Sequence, residues 1–324
     1  MSTVVLDNLR NAFPEAALDF LTEPAPAEIL LDHPVLRRVV VLHRAKGIRG
    51  WVSAASFIRA LRREQYELVI DFFGNPRSAL LTWFSRAPHR VGYDYRIRKR
   101  AYNHIVRSRA NELHEVDWHL DALTTLGIPI ISRKPQVLFG EEEERFAEQF
   151  MRELGWPDHP IAAINVSGGW PAKRWPIERF AALIDAISEK SSWRFMAIWG
   201  PGERANAEKL AELTQVPVMP TPPTTLKKLA SLLQKAAIMI TNDSGPMHIA
   251  AALGTPCVAI FGPTNPKLQG PYGEQHCVVR KESLPCLGCN RLNCEHTSCM
   301  GQLTTAEVFV AFQACVKKNN LFPI

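Results

Sequence analysis

The strongest chemical signal in the sequence lies where an apolar strand pattern passes into a helical pattern. The residues at this junction are Ile240-Thr-Asn-Asp243-Ser244-Gly245-Pro246-Met247-His248. Pro246 suits the first turn of a helix, where no backbone N–H is needed, and Ser244 or Gly245 then occupies the cap. The backbone N–H groups at such a helix start bind anions, and at the carboxyl edge of a parallel sheet the expected anion is phosphate. We expect Asp243 to fix the turn by accepting backbone N–H groups. An ordinary capped turn with no ligand is the alternative.

Two further loops follow strand patterns in the same half of the chain. In the first, Gly168 and Gly169 allow close backbone approach, and Lys173 and Arg174 supply positive charge, which favours a phosphate cradle. In the second, Glu203 ends the loop Trp199-Gly-Pro-Gly-Glu and can accept hydrogen bonds from ribose hydroxyls. Glu203 is equally well explained as an acidic residue at a helix start. Three such loops in one domain together predict a nucleotide site.

A basic segment with interleaved tyrosines lies in the first half of the chain. Its eight Lys and Arg residues face one acidic residue, Asp94; they are Arg86, Arg90, Arg96, Arg98, Lys99, Arg100, Arg107 and Arg109. A solvated loop explains this composition, and nucleic-acid binding is possible in principle, but no nucleic-acid motif accompanies it. Arginines pair well with the carboxylates and phosphates of an acidic glycolipid, and membrane surfaces are anionic too. We therefore predict that Arg96, Arg98, Lys99 and Arg100 bind an acidic acceptor, and that the partner is not nucleic acid.

Four of the seven cysteines form a cluster with the pattern C-x2-C-x4-C-x4-C, namely Cys286, Cys289, Cys294 and Cys299. Four thiolates suffice for a structural zinc ion or an iron–sulfur cluster, although the spacing matches no standard motif. Reduced cysteines and a redox-dependent disulfide stay open as alternatives. The sequence contains no D-x-D motif that would indicate a metal-bridged diphosphate, so we expect catalysis to need no cofactor.

The amino-acid composition and the pattern of apolar residues predict that these loops lie in two α/β domains. The chain has 324 residues, 46% of them hydrophobic and 22% charged, with a net charge of +6, which excludes wholesale disorder. No apolar run approaches the ~20 residues of a membrane span, and the N-terminus lacks a basic-then-apolar signal, so we expect a cytoplasmic protein. Near-continuous apolar strands alternate with helical patterns, which is typical of parallel sheets covered on both faces. The pattern restarts after Gly155-Trp-Pro, so we predict domains at 1–155 and 156–324, the second carrying the Cys-rich loop 286–299.

These motifs resemble glycosyltransferase family 9, which includes the ADP-heptose:lipopolysaccharide heptosyltransferases. The resemblance rests on NDSGPMHIAAALGTPCVAIFGPTNP, together with PAKRWP and GPGE upstream. It implies a GT-B fold, in which two Rossmann-like domains face each other across a cleft and the second binds the nucleotide-sugar donor. It places ribose on Glu203 and assigns the donor diphosphate to Ser167, Gly168, Lys173, Ser244, Gly245, Met247 and His248. His248 is otherwise explained as a packing residue on the first helical turn.

The resemblance also implies an activity. The expected reaction moves a heptose from ADP-heptose to the inner core of lipopolysaccharide, with inversion and without a metal ion. Lys173 and the helix start would stabilise the departing diphosphate. The expected protein contacts the cytoplasmic face of the inner membrane peripherally. Another GT-B enzyme with a different nucleotide-sugar donor, an epimerase, and a non-catalytic nucleotide-sugar or glycan-binding protein are the alternatives.

The sequence departs from the family at its start. The family begins with a strand and a Gly-Asp loop just before the helix that is predicted here at Thr3–Phe13, and the Asp of that loop is the family's general base. That Asp would fall before Met1, so we expect the first strand and the base to be missing and the chain to be a fragment or a mis-started version. Asp7, on the helix itself, is interpreted as a solvated charge, which leaves the catalytic residue unassigned.

Overall fold

The chain divides into two units, Met1–Gln136 and Val137–Ile324. The computed structural model describes residues 1–43 and 47–321, and of residues 47–54 it describes the backbone only. The division lies before the predicted boundary at residue 155. The reason is that the helix Glu141–Glu153 packs against the helix Leu226–Lys235, with Lys235 Nζ 3.4 Å from a carboxylate oxygen of Glu148. This helix thus belongs to the second unit.

The first unit contains two small parallel sheets. Strands β1 and β2 form one sheet, and β3, β4 and β5 form the other in that order. The strands are β1 (Asp19–Thr22), β2 (Arg38–Val41), β3 (Leu68–Ile70), β4 (His89–Tyr93) and β5 (His104–Val106). The helices are α1 (Val5–Ala12), α2 (Pro24–Leu30), α3 (Gly47–Arg63), α4 (Pro76–Ser85) and α5 (Glu115–Thr124), with 3₁₀ turns at Ser2–Val4 and Arg96–Ala101.

A buried carboxylate fixes the start of the first sheet. Asp19 accepts hydrogen bonds from Arg37 Nη2 at 2.5 Å, Arg38 Nε at 2.9 Å and the Tyr66 hydroxyl at 2.5 Å. Burial alone would raise the pKa of Asp19, but these donors outweigh it and the pKa lies below its usual value. The carboxylate therefore stays charged and holds β1, β2 and the residues before β3 together.

The second unit is built on one six-stranded parallel sheet. Its spatial order is β8-β7-β6-β9-β10-β11. The strands are β6 (Ile161–Asn165), β7 (Arg194–Ala197), β8 (Val218–Pro220), β9 (Ile238–Asn242), β10 (Cys257–Ile260) and β11 (Cys277–Val279). The helices are α6 (Glu141–Glu153), α7 (Ile177–Ser188), α8 (Arg204–Leu213), α9 (Leu226–Lys235), α10 (Gly245–Leu253), α11 (Pro266–Gln269), α12 (Ser298–Gly301) and α13 (Thr305–Lys318), with a 3₁₀ turn at Pro171–Lys173.

Counted along the chain, this order is 3-2-1-4-5-6, the order of the Rossmann fold. Every residue of β6, β9 and β10 is buried, as expected for strands covered on both faces. The order reverses between β6 and β9, so the topological switch point of the sheet lies at the carboxyl ends of these two strands. In α/β sheets, ligands bind at this position.

The predicted α/β class and the parallel sheets are confirmed. The strand and helix patterns predicted around the candidate loops, from Ile161 to Ile187 and from Ala237 to Phe261, match β6, α7, β9, α10 and β10. Within the residues that the structure describes, no helix is long and apolar enough to cross a membrane.

Candidate functional site

The candidate site is organised by an asparagine at the end of β9. Asn242 is buried, and its Nδ2 donates to the carbonyl oxygens of Val166 at 2.8 Å and Ser167 at 3.3 Å. Its Oδ1 accepts the backbone N–H of Trp175 at 3.0 Å. One side chain on β9 therefore fixes both ends of the loop that follows β6. Asn242 is not among the residues predicted from the sequence.

A second asparagine, at the end of β6, reaches in the opposite direction. Asn165 Nδ2 donates to the Ser244 hydroxyl at 2.8 Å and to Thr241 Oγ1 at 3.3 Å, and its Oδ1 accepts the Ser167 N–H at 3.1 Å. Ser244 is the cap residue of α10, but its side chain makes no cap hydrogen bond with that helix. The hydroxyl is held by Asn165 instead, which leaves the first-turn N–H groups of α10 without a side-chain cap. The predicted helix start is thus present in the structure, and its binding of an anion stays a prediction.

An ion pair connects the two loops. Lys173 Nζ lies 2.6 Å from Asp243 Oδ2, and the two side chains are only 13% and 6% exposed. The same carboxylate oxygen accepts the Thr264 hydroxyl at 2.6 Å, and Lys173 Nζ lies 4.3 Å from the centroid of the Trp170 ring. The predicted role of Asp243 was wrong: in the described chain its carboxylate accepts from Thr264 and Lys173 rather than from backbone N–H groups. Asp243 instead sets the position of the lysine ammonium.

Ser167 presents a buried hydroxyl to this region. Its Oγ has no hydrogen-bond partner among the described residues, although the residue is buried. An unsatisfied buried hydroxyl costs about 1–3 kcal/mol, a cost that a polar ligand bound here would remove. Gly168 is also buried, and a Cβ added to it would lie 3.4 Å from Arg174 Cγ, whereas no atom of the described residues lies within 4 Å of a Cβ added to Gly169. The loop is therefore packed at Gly168 and open at Gly169.

The loop that ends at Glu203 contacts the loop after β6 through Arg174. Arg174 Nε donates to the Gly168 carbonyl at 2.9 Å, and one of its terminal nitrogens lies 3.8 Å from Glu203 Oε1. Glu203 is the residue immediately before α8, so both of its predicted interpretations, ribose partner and helix-start acid, are compatible with its place. Its carboxylate is partly exposed and lies near the same loop as Lys173.

Two predicted residues lie on the first turns of α10. The Met247 side chain is completely buried, so only its backbone can meet a ligand at this helix start. His248 is half-buried. The structure thus gathers the predicted loops at one end of the sheet, at the switch point between β6 and β9.

The predicted acceptor residues lie in the first unit, on the 3₁₀ turn Arg96–Ala101. Arg96, Lys99 and Arg100 are exposed. Arg98 differs, because its Nη1 donates to the Gly74 carbonyl at 2.6 Å and its guanidinium lies 4.6 Å from the centroid of the Tyr95 ring. Arg98 therefore holds the turn, and the other three present charge to solvent.

The cysteine cluster contains only free thiols within the described residues. Cys299 is buried, and burial raises the pKa of its thiol, with a smaller contribution from Cys286, Cys289 and Cys294. In the part of the chain that the structure describes, no three His, Cys, Asp or Glu side chains are arranged to hold a metal ion. The zinc or iron–sulfur site stays a prediction.

The cysteine loop nevertheless has a defined position. The Gly288 N–H donates to the Gly262 carbonyl at 3.2 Å, and the Asn290 N–H donates to the Pro263 carbonyl at 2.6 Å. These contacts are one or two residues from Thr264, whose hydroxyl holds Asp243. The loop thus supports the segment that positions the ion pair.

Comparison with known proteins agrees with this geometry. The model of glycosyltransferase family 9 (heptosyltransferase) matches residues 54–299. Lipopolysaccharide heptosyltransferase 1 of Escherichia coli K12 is 28% identical over 286 residues, which cover 85% of this chain and 87% of that protein.

Solved structures show the same fold. A family 9 glycosyl transferase from Veillonella parvula DSM 2008 is 23% identical with a TM-score of 0.84, covering 98% of this chain and 93% of that one. The E. coli heptosyltransferase WaaC with ADP is 24% identical with a TM-score of 0.73, covering 98% of this chain and 95% of that one.

Proposed function

Because the chain belongs to glycosyltransferase family 9 and is therefore a glycosyltransferase, we propose that it transfers a heptose from ADP-heptose to an inner-core sugar of lipopolysaccharide. The observation that carries this proposal is the group of hydrogen-bond donors and positive charge at the switch point of the second sheet. There, the ammonium of Lys173, the unpaired hydroxyl of Ser167 and the uncapped start of α10 follow neighbouring strands. The name of the E. coli relative, lipopolysaccharide heptosyltransferase 1, supports the choice of substrate.

The donor diphosphate binds at the start of α10 and beside Lys173. An ammonium group has three donors, and Asp243, whose carboxylate is held by the Thr264 hydroxyl, occupies one of them and fixes the direction of the group. The remaining donors and the helix N–H groups are available to phosphate oxygens. Because Lys173 is only 13% exposed, its attraction for the diphosphate is screened less than that of a surface lysine. Glu203 accepts hydrogen bonds from the ribose hydroxyls.

The reaction is a direct displacement that inverts the anomeric carbon. The acceptor hydroxyl forms the new carbon–oxygen bond while the bond between the anomeric carbon and the diphosphate oxygen breaks; ADP leaves with the bonding electron pair, and the hydroxyl proton is released to solvent water. Negative charge grows on the diphosphate, where Lys173 and the N–H groups of α10 already point. These groups supply the positive charge that a metal ion would otherwise supply, so the proposed reaction is metal-independent.

The acceptor is an acidic lipopolysaccharide precursor at the cytoplasmic face of the inner membrane. Its phosphates and carboxylates pair with the exposed Arg96, Lys99 and Arg100, while Arg98 supports the turn that carries them. The protein then works as a peripheral membrane enzyme.

Calorimetric titration with ADP tests the donor site. We expect Lys173→Ala to weaken ADP binding at least tenfold, which corresponds to about 1.4 kcal/mol. Lys209→Ala is the matched control, because Lys209 is also paired with a carboxylate, Glu178 at 3.3 Å, but is half exposed on the surface of the same unit. Equal ADP affinities for the two variants would remove Lys173 from the site.

A donor panel tests the sugar. We expect release of the nucleoside diphosphate in the presence of a lipopolysaccharide acceptor when the donor is ADP-heptose, and not when it is a UDP- or GDP-linked sugar. Preferential turnover of another nucleotide sugar would replace heptose in the proposal. Saturable binding of ADP-heptose without any turnover would instead favour a non-catalytic binding protein.

A further inference from the structure

Helix α4 presents a row of apolar side chains to solvent. Leu80, Trp83 and Phe84 lie at helical spacing i, i+3 and i+4, and they are 56%, 51% and 37% exposed. The opposite face of α4 is buried through Ala79, Leu81 and Thr82. The helix therefore packs into its unit through one side and leaves large apolar side chains exposed on the other. Single exposed apolar residues are common, but a contiguous row on one helix face marks an interaction surface.

Arginines surround this row. Arg62, Arg86 and Arg90 line an open pocket of about 340 Å³ together with Trp83 and Phe84, and the described residues of its lining include no carboxylate. The guanidinium carbon of Arg62 lies 5.8 Å from the Phe84 ring centroid, and that of Arg90 lies 5.8 Å from the Trp83 ring centroid. We call these five residues and Leu80 the α4 surface. It combines an apolar strip with positive charge at its edge.

The three arginines are held in different ways. Arg62 Nε donates to the Phe84 carbonyl at 2.8 Å, and Arg90 donates to the Ala87 carbonyl at 2.6 Å through Nη1. Each of these guanidinium groups keeps further donors for a ligand. Arg86, the residue that ends α4, has a φ of 58°, a left-handed conformation usually taken by Gly or Asn. Among the described residues, its side chain has no hydrogen-bonding or ionic partner. The pocket thus holds one uncompensated cation and two partly satisfied ones.

The charge of the surface selects its partner. A second copy of the chain bound through the same face would bring two sets of three arginines together without a carboxylate between them, which is unfavourable. An anionic lipid bilayer fits better, because Trp and Phe enter the interfacial region while arginines reach lipid phosphates. The neighbouring turn Arg96–Ala101 packs against α4 and adds the 76% exposed Ile97 between basic residues.

We propose that the α4 surface is the face by which this enzyme docks onto an anionic phospholipid bilayer. Leu80, Trp83 and Phe84 enter the headgroup region, and Arg62, Arg86 and Arg90 pair with lipid phosphates. The proposal deepens the proposed function and rests on it for the membrane location of the acceptor. The contact itself requires neither donor nor acceptor.

Co-flotation with phospholipid vesicles tests the proposal in the absence of any nucleotide sugar. We expect the full chain to bind vesicles of phosphatidylcholine and phosphatidylglycerol, and to bind pure phosphatidylcholine vesicles much more weakly. The double variant Leu80→Ser/Trp83→Ser should bind the anionic vesicles at least tenfold more weakly. Arg86→Ser should lose about fivefold, since one basic residue near an anionic surface contributes about that factor.

The matched control is Ile131→Ser/Val310→Ser, which removes two apolar side chains that are 58% and 63% exposed outside the α4 surface. This control should bind vesicles like the unmodified chain. All variants should keep the ADP affinity of the unmodified chain, which shows that they fold and separates membrane docking from the donor site. A chain that transfers heptose but binds vesicles no better than the Leu80→Ser/Trp83→Ser variant would overturn the docking proposal alone. The proposal would also be wrong if that variant kept full vesicle binding and lost self-association in analytical ultracentrifugation.

Discussion

Asn242 offers the most direct test of how the candidate donor site is held in shape. Replacing it by alanine removes three hydrogen bonds: two donated to the carbonyls of Val166 and Ser167 and one accepted from the N–H of Trp175. Each bond contributes about 1 kcal/mol, and a buried group left without a partner costs about 1–3 kcal/mol. We therefore expect Asn242→Ala to lower the free energy of unfolding by about 3 kcal/mol.

The same change should weaken ADP binding. Asn242 holds both ends of the loop 166–175, and that loop carries Lys173. Once released, the loop has to be ordered again when ADP binds, and fixing the backbone of a single residue costs about 1–2 kcal/mol. The cost of fixing the backbone of even one additional residue corresponds to roughly a tenfold loss of affinity for ADP. We thus expect Asn242→Ala to lower the affinity for ADP at least tenfold, although Asn242 is not proposed to contact the ligand itself.

Urea unfolding and calorimetric ADP titration of the same samples measure the two effects. Asn319→Ala is the matched control, because Asn319 also donates to two carbonyls, of Gln275 at 2.8 Å and Cys315 at 2.9 Å, but lies just after α13. This control should lose stability and keep its ADP affinity. If Asn242→Ala loses stability without any change in affinity, the asparagine does not set the geometry of the loop.

The loops around the site could be predicted because they interrupt apolar runs. Ile161–Asn165 and Ile238–Asn242 are buried along their whole length, and Gly or Pro follows each within a few residues. The positions of these loops and the residue types that they carry could therefore be predicted from the sequence. The Lys173–Asp243 ion pair was not, because it joins loops after two strands whose adjacency depends on the order of the whole sheet.

The two asparagines show the same limit. Each ends a buried strand, and in the sequence each reads as the first polar residue of a turn. Only the parallel pairing of β6 with β9, which aligns Asn165 with Thr241, brings each side chain within reach of the other strand's loop. A signal did exist, since Asn ends both strands that precede the predicted phosphate loops.

Two strands of the first unit, β4 and β5, lie in the basic segment and were not predicted from the sequence. In β4, His89 and Arg90 are not buried, whereas Val91, Gly92 and Tyr93 are, so charge masks the short apolar part. The packing that stabilises this strand is also non-local. A Cβ on Gly92 would lie 2.4 Å from the ring of Tyr102, so the ring fits only because residue 92 is glycine. Such a contact cannot be predicted from a local pattern of residues in the sequence.

Two further predictions concern stability and pH in the second unit. The carboxylate of Glu307 accepts the backbone N–H of Thr304 at the start of α13, and this bond, with smaller contributions from other donors, lowers the pKa of Glu307 from 4.5 to about 2. Its stabilisation is complete above about pH 4.5 and lost as the pH falls toward 2, so Glu307→Ala should cost about 1 kcal/mol at neutral pH and nothing in strong acid, as measured by urea unfolding. Burial lowers the pKa of His276 from 6.5 to about 4, and the neutral ring accepts the Cys257 N–H at 3.1 Å through Nδ1. The unfolded chain takes up a proton on this ring below about pH 6.5 while the folded chain does not, so the stability should fall by up to about 3 kcal/mol between pH 6.5 and 4. His276→Gln should remove that part of the pH dependence whatever it does to the stability at neutral pH. A variant whose unfolding free energy keeps the same slope in this interval would show that the ring takes up its proton at the same pH in the folded protein and in the unfolded chain.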